Sequence, residues 1–278
     1  MNVAGWIEWP LRHERFTVGV LLGVAIAGAW VFVLTGAGTG MSVSAMTSLD
    51  MALGAPAAVS RAVASGTEWT VSYAATMAVM WWVMMAAMML PSAAPMILLH
   101  AQIGRGTSRR SGVAPRLMPT LLFGGGYLLM WGCFSVVAAA FQWGLERAGL
   151  LSPFMMNGTS FVFAGCVLLY AGLYQISPLK RVCLKHCQSP LQFLSHSWQD
   201  GDWGAFRMGL RHGGFCLGCC AGLMAILFFG GIMNLYWIIG LAILVAVEKL
   251  SSAGPKLSAL IGYLLIAWSG VFFLQALA

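Results

Sequence analysis

The sequence predicts an all-α protein, a polytopic transmembrane bundle of about seven helical spans that forms a single integral-membrane domain over residues 1–278. Hydrophobic residues make up 60% of the chain and charged residues only 8%, whereas soluble domains carry about 25% charged residues. Apolar runs long enough to cross a bilayer as helices, about 17–25 residues each, recur along the chain. These runs lie at residues 16–35, 71–99, 117–143, 159–177, 210–230, 232–248 and 257–277.

Three features of the spans follow from the residues around them. The first apolar core, of about nineteen residues, exceeds the 7–15 residues of a cleaved signal peptide, so we expect a membrane anchor. Only Gly230 and Gly231 separate the fifth and sixth runs, which predicts a tight helical hairpin. Residues 178–209 are expected to form a cytoplasmic loop, with Asp202 capping the helix that follows.

The basic residues alternate between connections, as the positive-inside rule requires. Thirteen of the fifteen fall on every second connection; they are Arg12, Arg15, Arg105, Arg109, Arg110, Arg116, Lys180, Arg181, Lys185, Arg207, Arg211, Lys249 and Lys256. Arg61 and Arg147 are the exceptions. This pattern predicts a cytoplasmic N-terminus and an outer C-terminus. The net charge of +7 thus reflects topology in the lipid bilayer and predicts no nucleic-acid partner.

Two groups of soft ligands stand out in the second half of the chain. Cys183 and Cys187 are four residues apart, which places both sulfurs on one helical face. A second group shares a helical arc of roughly 120° and consists of Met208, His212, Cys216, Cys219 and Cys220. The odd total of seven cysteines and the predicted reducing side of the membrane both disfavour disulfides. We therefore expect a thiophilic metal to be bound by Cys183, Cys187, His212, Cys216, Cys219 and Cys220.

The second apolar run carries a methionine ladder, which we define as Met77, Met80, Met84, Met85, Met88 and Met89. Thioether sulfur suits Cu(I) and is a poor ligand for zinc, calcium or magnesium. We expect Met84 and Met88 to bind Cu(I) in transit, the alternative being that the ladder is apolar packing. Pro91 and Pro95 are expected to break or kink this helix. Further weak copper sites are possible at Met41, Met46 and Met51.

Structural roles are predicted for the remaining candidate residues. We expect Cys133 and Cys166 to be packing residues within their spans. His186 is predicted to point away from the face shared by Cys183 and Cys187. Interfacial or solvated positions are expected for His13, His100 and His196, and an interfacial anchor is expected at Glu248 and Lys249.

Several strings of the sequence resemble a bacterial family of predicted metal-binding integral membrane proteins. They are WWVMMAAMMLPSAAPM, YQISPLKRVCLKHC, FCLGCC and a late Glu-Lys pair, and the resemblance covers about residues 70–250. The family's name-giving members are linked to copper delivery to polyphenol oxidases. The implied motif residues are Met84, Met85, Met88, Met89, Pro91, Pro95, Met96, Gln175, Pro178, Leu179, Lys180, Cys183, Cys187, Cys216, Cys219, Cys220 and Glu248. Ala221 departs from the tryptophan often found after the double cysteine, which affects packing more than ligation.

These observations predict transmembrane binding and transfer of a thiophilic metal, most simply Cu(I), to a cuproprotein or metallochaperone partner. The expected location is the bacterial inner membrane. We expect no enzymatic activity, because the chain has no Walker loop, dinucleotide fingerprint or nucleophile elbow. Three alternatives remain open: a zinc or mercury transporter, a membrane thiol oxidoreductase or other cofactor-bearing enzyme subunit, and a structural subunit of a larger membrane complex.

Overall fold

The computed structural model describes residues 14–39, 41–53, 69–110, 117–152 and 158–278. Within these ranges every regular element is a helix, and the all-α prediction is confirmed. The helices are α1 Glu14–Leu34, α2 Val43–Met46, α3 Leu49–Ala52, α4 Val71–Arg110, α5 Met118–Arg147, α6 Phe161–Ile176, α7 Pro178–Gln188, α8 Pro190–Ser197, α9 Gly201–Ala225, α10 Leu227–Gly230, α11 Leu235–Leu250 and α12 Gly254–Leu277. Four residues used in the sequence interpretation lie outside the described ranges: Arg12, His13, Arg61 and Arg116. The side chains of Arg15, Met51, Arg109 and Arg110 are likewise outside what the structure describes.

Five segments of the described chain are long and apolar enough to cross a membrane. They are Phe16–Leu34, Val71–Gly106, Met118–Arg147, Gly201–Gly230 and Gly254–Leu277. Helices α6 and α7 pass the same test together, bent by 60° at their junction. The remaining expected span corresponds to α11, whose 16 residues make a helix of about 24 Å, shorter than the ~30 Å hydrocarbon core. The structure therefore supports five or six spans, and the count of seven stays a prediction.

Glycines set the closest helix contacts of the bundle. Helix α9 packs along α5, where an added Cβ at Gly209 would overlap the Phe123 carbonyl and one at Gly126 would overlap the Phe206 carbonyl. Helix α12 packs along α6, where a Cβ at Gly172 would come within 2.8 Å of the carbonyl oxygen of Gly262. Small residues of this kind allow membrane helices to approach closely. Helix α4 contacts α1 and α5, and α11 contacts α4.

The segment 178–209, predicted to be a loop, is mostly helical. Pro178 and Pro190 stand in the first turns of α7 and α8, where the missing N–H costs no hydrogen bond. Helix α9 begins at Gly201, two residues before the start expected from an Asp202 cap, and Asp200 precedes it as the N-cap. The connection between the fourth and fifth apolar runs thus contains short helices, and its cytoplasmic location stays a prediction.

Helix α4 continues past Pro91 and Pro95 to Arg110, so the helix does not break there, and the alternative of a kink stays a prediction. Membrane helices tolerate proline where other groups satisfy the freed backbone. Independently of the prolines, the hydroxyls of Ser92 and Tyr127 donate to the Met89 carbonyl at 3.0 and 3.3 Å. The continuous helix carries the methionine ladder through the middle of the bundle.

The turn of the hairpin predicted between the fifth and sixth apolar runs is present, but the two helices do not pack along each other. The chain reverses after α10, where Gly231 has φ of +95°, a left-handed value that favours glycine. Helix α11 then packs mainly against α4, with few contacts to α9. This choice of neighbour brings the end of α11 to the cysteine-bearing face of α9.

Candidate metal centre

Helices α4, α7, α9 and α11 meet around the cysteines of α9. Helix α7 approaches α9 closely because Gly218 leaves room for Cys183, whose Sγ would lie 2.6 Å from a Cβ added at Gly218. The Tyr174 hydroxyl at the end of α6 donates to the Gly218 carbonyl at 2.6 Å. Ser177 ends α6 and caps α7 by accepting the Lys180 backbone N–H. The bend at Ser177 therefore directs α7 and its two cysteines toward α9.

Cys187 and Cys219 join the two cysteine groups. Their sulfur atoms are 3.8 Å apart, a separation at which one ion can contact both, since metal–thiolate bonds are about 2.3 Å long. Cys219 is buried and Cys187 is half-buried. The pair therefore leads from the accessible side of the cluster to its interior.

Cys216 and Cys220 lie deeper, against α4 and α5. The Tyr127 hydroxyl is 3.1 Å from Cys216 Sγ, and Cys220 Sγ is 3.9 Å from the thioether of Met89. The thiols of Cys219 and Cys220 both donate to the Cys216 carbonyl at 3.0 Å, a back-bond of the kind that polar side chains make within helices. We call Cys187, Cys216, Cys219, Cys220 and Met89 the sulfur centre.

Lys249 places a buried amine beside this centre. Its Nζ lies 2.9 Å from Cys216 Sγ, 3.2 Å from the Ser92 hydroxyl and 3.9 Å from Met89 Sδ. The residue is only 6% exposed. The amine therefore contacts the donor atoms that a bound metal would use.

Glu248, the preceding residue, belongs to a separate buried network. Its carboxylate accepts from Lys180 Nζ at 2.7 Å and from Gln175 Nε2 at 3.0 Å, and Lys180 Nζ also donates to Gln175 Oε1. Gln188 Nε2 donates to the Glu248 backbone carbonyl at 2.7 Å. These bonds fasten the C-terminal end of α11 to the bent α6–α7 pair, and hence hold α7 in place over the sulfur centre.

His212 lies one turn before Cys216 and is 4% exposed. Its ring packs against Tyr127 and Phe193, with centroid distances of 5.6 Å to each. Its Nδ1 atom is buried and has no hydrogen-bond partner among the described residues. The side chain also borders a cavity of about 220 Å³ together with Cys187 and Lys249. The cavity therefore lies between the imidazole side chain and the outer thiol of the centre.

The methionine ladder is buried along its whole length, so it faces other helices rather than lipid. Met84 and Met88, the two predicted ligands, lie within α4. Met89 shares a different helical stripe with Met85, and its thioether contacts Cys220 and Lys249. Among the described residues, no group of three or more His, Cys, Asp or Glu side chains is arranged to hold a metal ion. The sulfur atoms are instead arranged as two pairs, the thiols of Cys187 and Cys219 and the thiol of Cys220 with the thioether of Met89.

Two residues that contact the sulfur centre, Tyr127 and Ser92, are absent from the sequence interpretation. Within apolar spans they carry no recognisable signal. Glu248 and Lys249, assigned to the membrane interface, are 2% and 6% exposed, so that prediction is wrong. An ionisable pair at the end of an apolar run is itself a functional signal, but the same pattern also fits an interfacial anchor.

Three single residues also differ from expectation. Cys133 and Cys166 are exposed on the outside of the bundle rather than packed inside it. His100, expected at the interface or in solvent, is buried with ring centroids 4.7 Å from Phe123 and 5.3 Å from Trp198. Periodicity alone does not say which side of an apolar helix faces lipid.

Comparison with known proteins decides the family. The PpoB2 family model, described as a copper chaperone, matches residues 78–272, from α4 into α12. This chain belongs to the PpoB2 copper chaperone family. The match includes the whole sulfur centre and Lys249, and it confirms the resemblance to copper-delivery proteins. No curated protein and no solved structure matches the chain. Membership of the copper chaperone family supports a copper-related function and a cuproprotein partner.

Proposed function

We propose that this chain binds Cu(I) within the membrane on the sulfur centre and transfers it to a cuproprotein, directly or through a metallochaperone. Cys187 and Cys219 would capture the ion, and Cys216, Cys220 and Met89 would form the deeper site. The observation that carries the proposal is the convergence of sulfur atoms from three helices. Cys187 of α7 lies 3.8 Å from Cys219, and Cys220 of α9 lies 3.9 Å from Met89 of α4.

Transfer would proceed by ligand exchange, in which a new sulfur binds Cu(I) before the previous one leaves. Cysteine binds as the thiolate, and the thioethers of Met84, Met88 and Met89 are neutral soft donors. Two- and three-coordinate intermediates keep the ion bound throughout. Such a route avoids placing a bare cation in a low-dielectric interior, which is strongly unfavourable.

The proposal includes the topology expected from the basic residues. Seven spans in the bacterial inner membrane, with the N-terminus inside and the C-terminus outside, would place the sulfur centre near the cytoplasmic face. Cu(I) would then be taken from, or given to, a partner on that side, and the protein would act without an enzymatic reaction. Cys183, packed on Gly218, would support α7 or serve as an additional thiol.

Zinc transport is the second candidate. Zinc favours four tetrahedral Cys and His ligands. The observation that favours zinc is His212, which borders the same cavity as Cys187 and whose Nδ1 has no partner among the described residues. Mercury would also suit paired thiols. The buried methionine ladder favours copper, because thioethers are poor zinc ligands.

Two further candidates belong to other classes. A thiol oxidoreductase would use Cys187 and Cys219, whose sulfur atoms are 3.8 Å apart, but the predicted cytoplasmic side keeps thiols reduced. A structural subunit would bind metal only to stabilise the fold. A stable co-purifying partner and a metal that never exchanges would favour that alternative.

Metal analysis and X-ray absorption of the protein, purified under reducing conditions, test the proposal. We expect near-stoichiometric copper in a sulfur or sulfur–nitrogen shell, lost when Cys216, Cys219 and Cys220 are changed to serine together. The matched control is the double variant Cys133→Ser/Cys166→Ser, because those thiols are exposed on the outside of the bundle. The control should keep its copper.

Each other result has a definite meaning. Copper retained by the triple variant would contradict the assignment of the sulfur centre. Zinc in four-coordinate sulfur–nitrogen geometry would replace the copper proposal with the zinc candidate. Absence of metal together with thiols that oxidise reversibly would favour redox chemistry.

A further inference from the structure

Lys249 has no carboxylate partner in the described part of the chain. Its nearest acidic neighbour in sequence, Glu248, is paired with Lys180 at 2.7 Å, and no carboxylate oxygen of the described residues lies within 4 Å of Lys249 Nζ. The polar atoms around that nitrogen are Cys216 Sγ, Ser92 Oγ and Met89 Sδ. A buried ammonium group requires a nearby negative charge, and among the described residues the thiolates of the sulfur centre are the contacting groups that can supply it.

We propose that Lys249 sets the charge selectivity of the sulfur centre, favouring a monovalent soft cation over a divalent one. The inference rests on the proposed function, because it concerns the site that would bind Cu(I). Lys249 would act as a specificity-determining residue that leaves coordination to the sulfur atoms.

The charges of the deeper site support this role. Two thiolates, Cys216 and Cys220, together with Cu(I) and the neutral thioether of Met89 carry a net charge of −1, which one ammonium group neutralises. A divalent ion on the same donors would make the complex neutral and leave the charge of Lys249 unpaired. Because a net charge in a buried site is unfavourable, the lysine should weaken the binding of divalent ions more than that of monovalent ions.

The position of Lys249 beside the cavity also favours monovalent over divalent ions. The side chain borders the cavity of about 220 Å³ that also contains Cys187 and His212. A cation that reaches the centre through this cavity meets the ammonium group before it reaches Cys216. Coulomb repulsion is proportional to the charge of the approaching ion, so a divalent ion is repelled twice as strongly as a monovalent one.

Two closed-shell probes, Ag(I) and Cd(II), test the proposal on the wild-type protein in detergent under reducing conditions. Both are soft, but they differ in charge. We expect Ag(I) to bind the sulfur centre and to protect its thiols from alkylation. Binding of Cd(II) is followed by the sulfur-to-metal charge-transfer absorption that depends on Cys216 and Cys220. The measured quantity is the ratio of Ag(I) to Cd(II) affinity at these two thiols, compared between the wild-type protein and the lysine variants.

Lys249→Leu and Lys249→Arg then separate charge from packing, and leucine adds no metal ligand. We expect the leucine variant to lose discrimination, so that the ratio of Ag(I) to Cd(II) affinity falls by about tenfold to a hundredfold, a conservative share of the Coulomb energy of unit charges some 4 Å apart. The arginine variant keeps the positive charge and should keep the ratio near the wild-type value. Lys256→Leu, at an exposed position in the first turn of α12, is the control for loss of a lysine and should leave the ratio unchanged.

The outcomes distinguish this inference from the proposed function. If the wild-type protein binds neither Cu(I) nor Ag(I), the proposed function fails and the selectivity role fails with it. If Cu(I) binds and the Lys249→Leu variant keeps the wild-type affinity ratio, only the selectivity role is overturned. If the leucine variant does not fold, the neutral variant Lys249→Gln decides by the same ratio.

Discussion

Individual residues of the sulfur centre are distinguished by contacts that helical spacing does not define. Met85 and Met89 form one stripe of α4, and Met84 and Met88 belong to the other. The stripe that contains Met89 is the one that reaches Cys220 and Lys249, at 3.9 Å from each. A methionine can be a ligand or a packing residue, and the neighbouring helix decides which role is available.

Replacing Met89 by leucine tests its thioether directly. Leucine keeps most of the volume and removes the sulfur, so we expect the fold to remain and Cu(I) affinity to fall by roughly tenfold or more, at least the effect of losing an outer-shell partner. Competition with a chromophoric Cu(I) chelator measures the change. Met80→Leu is the matched control, since Met80 is fully buried on the same helix. Equal affinities in the two variants would remove Met89 from the site.

At the scale of helices, the bend between α6 and α7 determines whether the two cysteine groups meet. Pro178 follows the Ser177 cap, and the network of Gln175, Lys180 and Glu248 ties both sides of the bend to α11. This attachment adds to the close contact of Cys183 with Gly218, which also holds α7 on α9. The family resemblance includes three of these residues in its motif, namely Gln175, Lys180 and Glu248. In the structure they form one hydrogen-bonded network.

Removing one partner of the buried Lys180–Glu248 ion pair should lower the unfolding free energy more than replacing both partners with apolar residues. Lys180→Met leaves the Glu248 carboxylate buried without its cation, so we expect a loss of about 3 kcal/mol or more in unfolding free energy. The double variant Lys180→Met/Glu248→Leu removes both charges and should recover a large part of that loss. Thermal unfolding in detergent is measured for the wild-type protein, the two single variants Lys180→Met and Glu248→Leu, and the double variant. Additive effects of the two changes would show that the pair is not coupled.

The close contact between α5 and α9 can be tested with two adjacent glycines. A Cβ at Gly126 would overlap the Phe206 carbonyl, whereas one at Gly125 has nothing within 4 Å. We expect Gly126→Ala to lower the unfolding free energy by about 1–3 kcal/mol through overpacking and Gly125→Ala to be neutral or slightly stabilising, because alanine favours helix. Denaturation of the two variants in one detergent makes the comparison. Equal stabilities would mean that the helices can separate at no cost.

At the scale of the molecule, the number of spans decides on which side of the membrane the chain ends. Five helices qualify as spans by themselves and α6–α7 is one bent candidate. The 16-residue α11 decides between an even and an odd count. The sulfur centre lies where α11 ends, so its distance from either membrane face depends on the same helix.

Reporter fusions to the two termini test the seven-span prediction. With seven spans the termini lie on opposite sides, so a reporter active only outside the cytoplasm should work at the C-terminus and a cytoplasmic reporter should work at the N-terminus. The basic residues predict this orientation. A C-terminal fusion active only in the cytoplasm would give an even number of spans, so that either α11 or the bent α6–α7 pair does not cross the membrane. A fusion in the 36–70 connection provides an internal control.

Features with strong local signals could be predicted from the sequence, whereas the metal-binding role of individual residues stays a prediction. Apolar runs imply helices because the bilayer leaves backbone groups no other partners, and cysteines at spacings of three and four share a helical face. The all-α fold, the buried face of α9 and the resemblance that led to the copper chaperone family all follow from such local patterns. They depend on chain geometry that extends over only a few residues.

Contacts between distant segments required the tertiary structure. The tertiary structure shows that Cys187 lies beside Cys219 and that Met89 lies beside Cys220. It also shows that Lys249 contacts Cys216, whereas Glu248 pairs with Lys180. Side chains on one apolar helix look equivalent in the sequence, and their environment depends on which helices pack around them. The sequence therefore determined helices, soft ligands and family, whereas packing decided which ligands meet and which charge accompanies them.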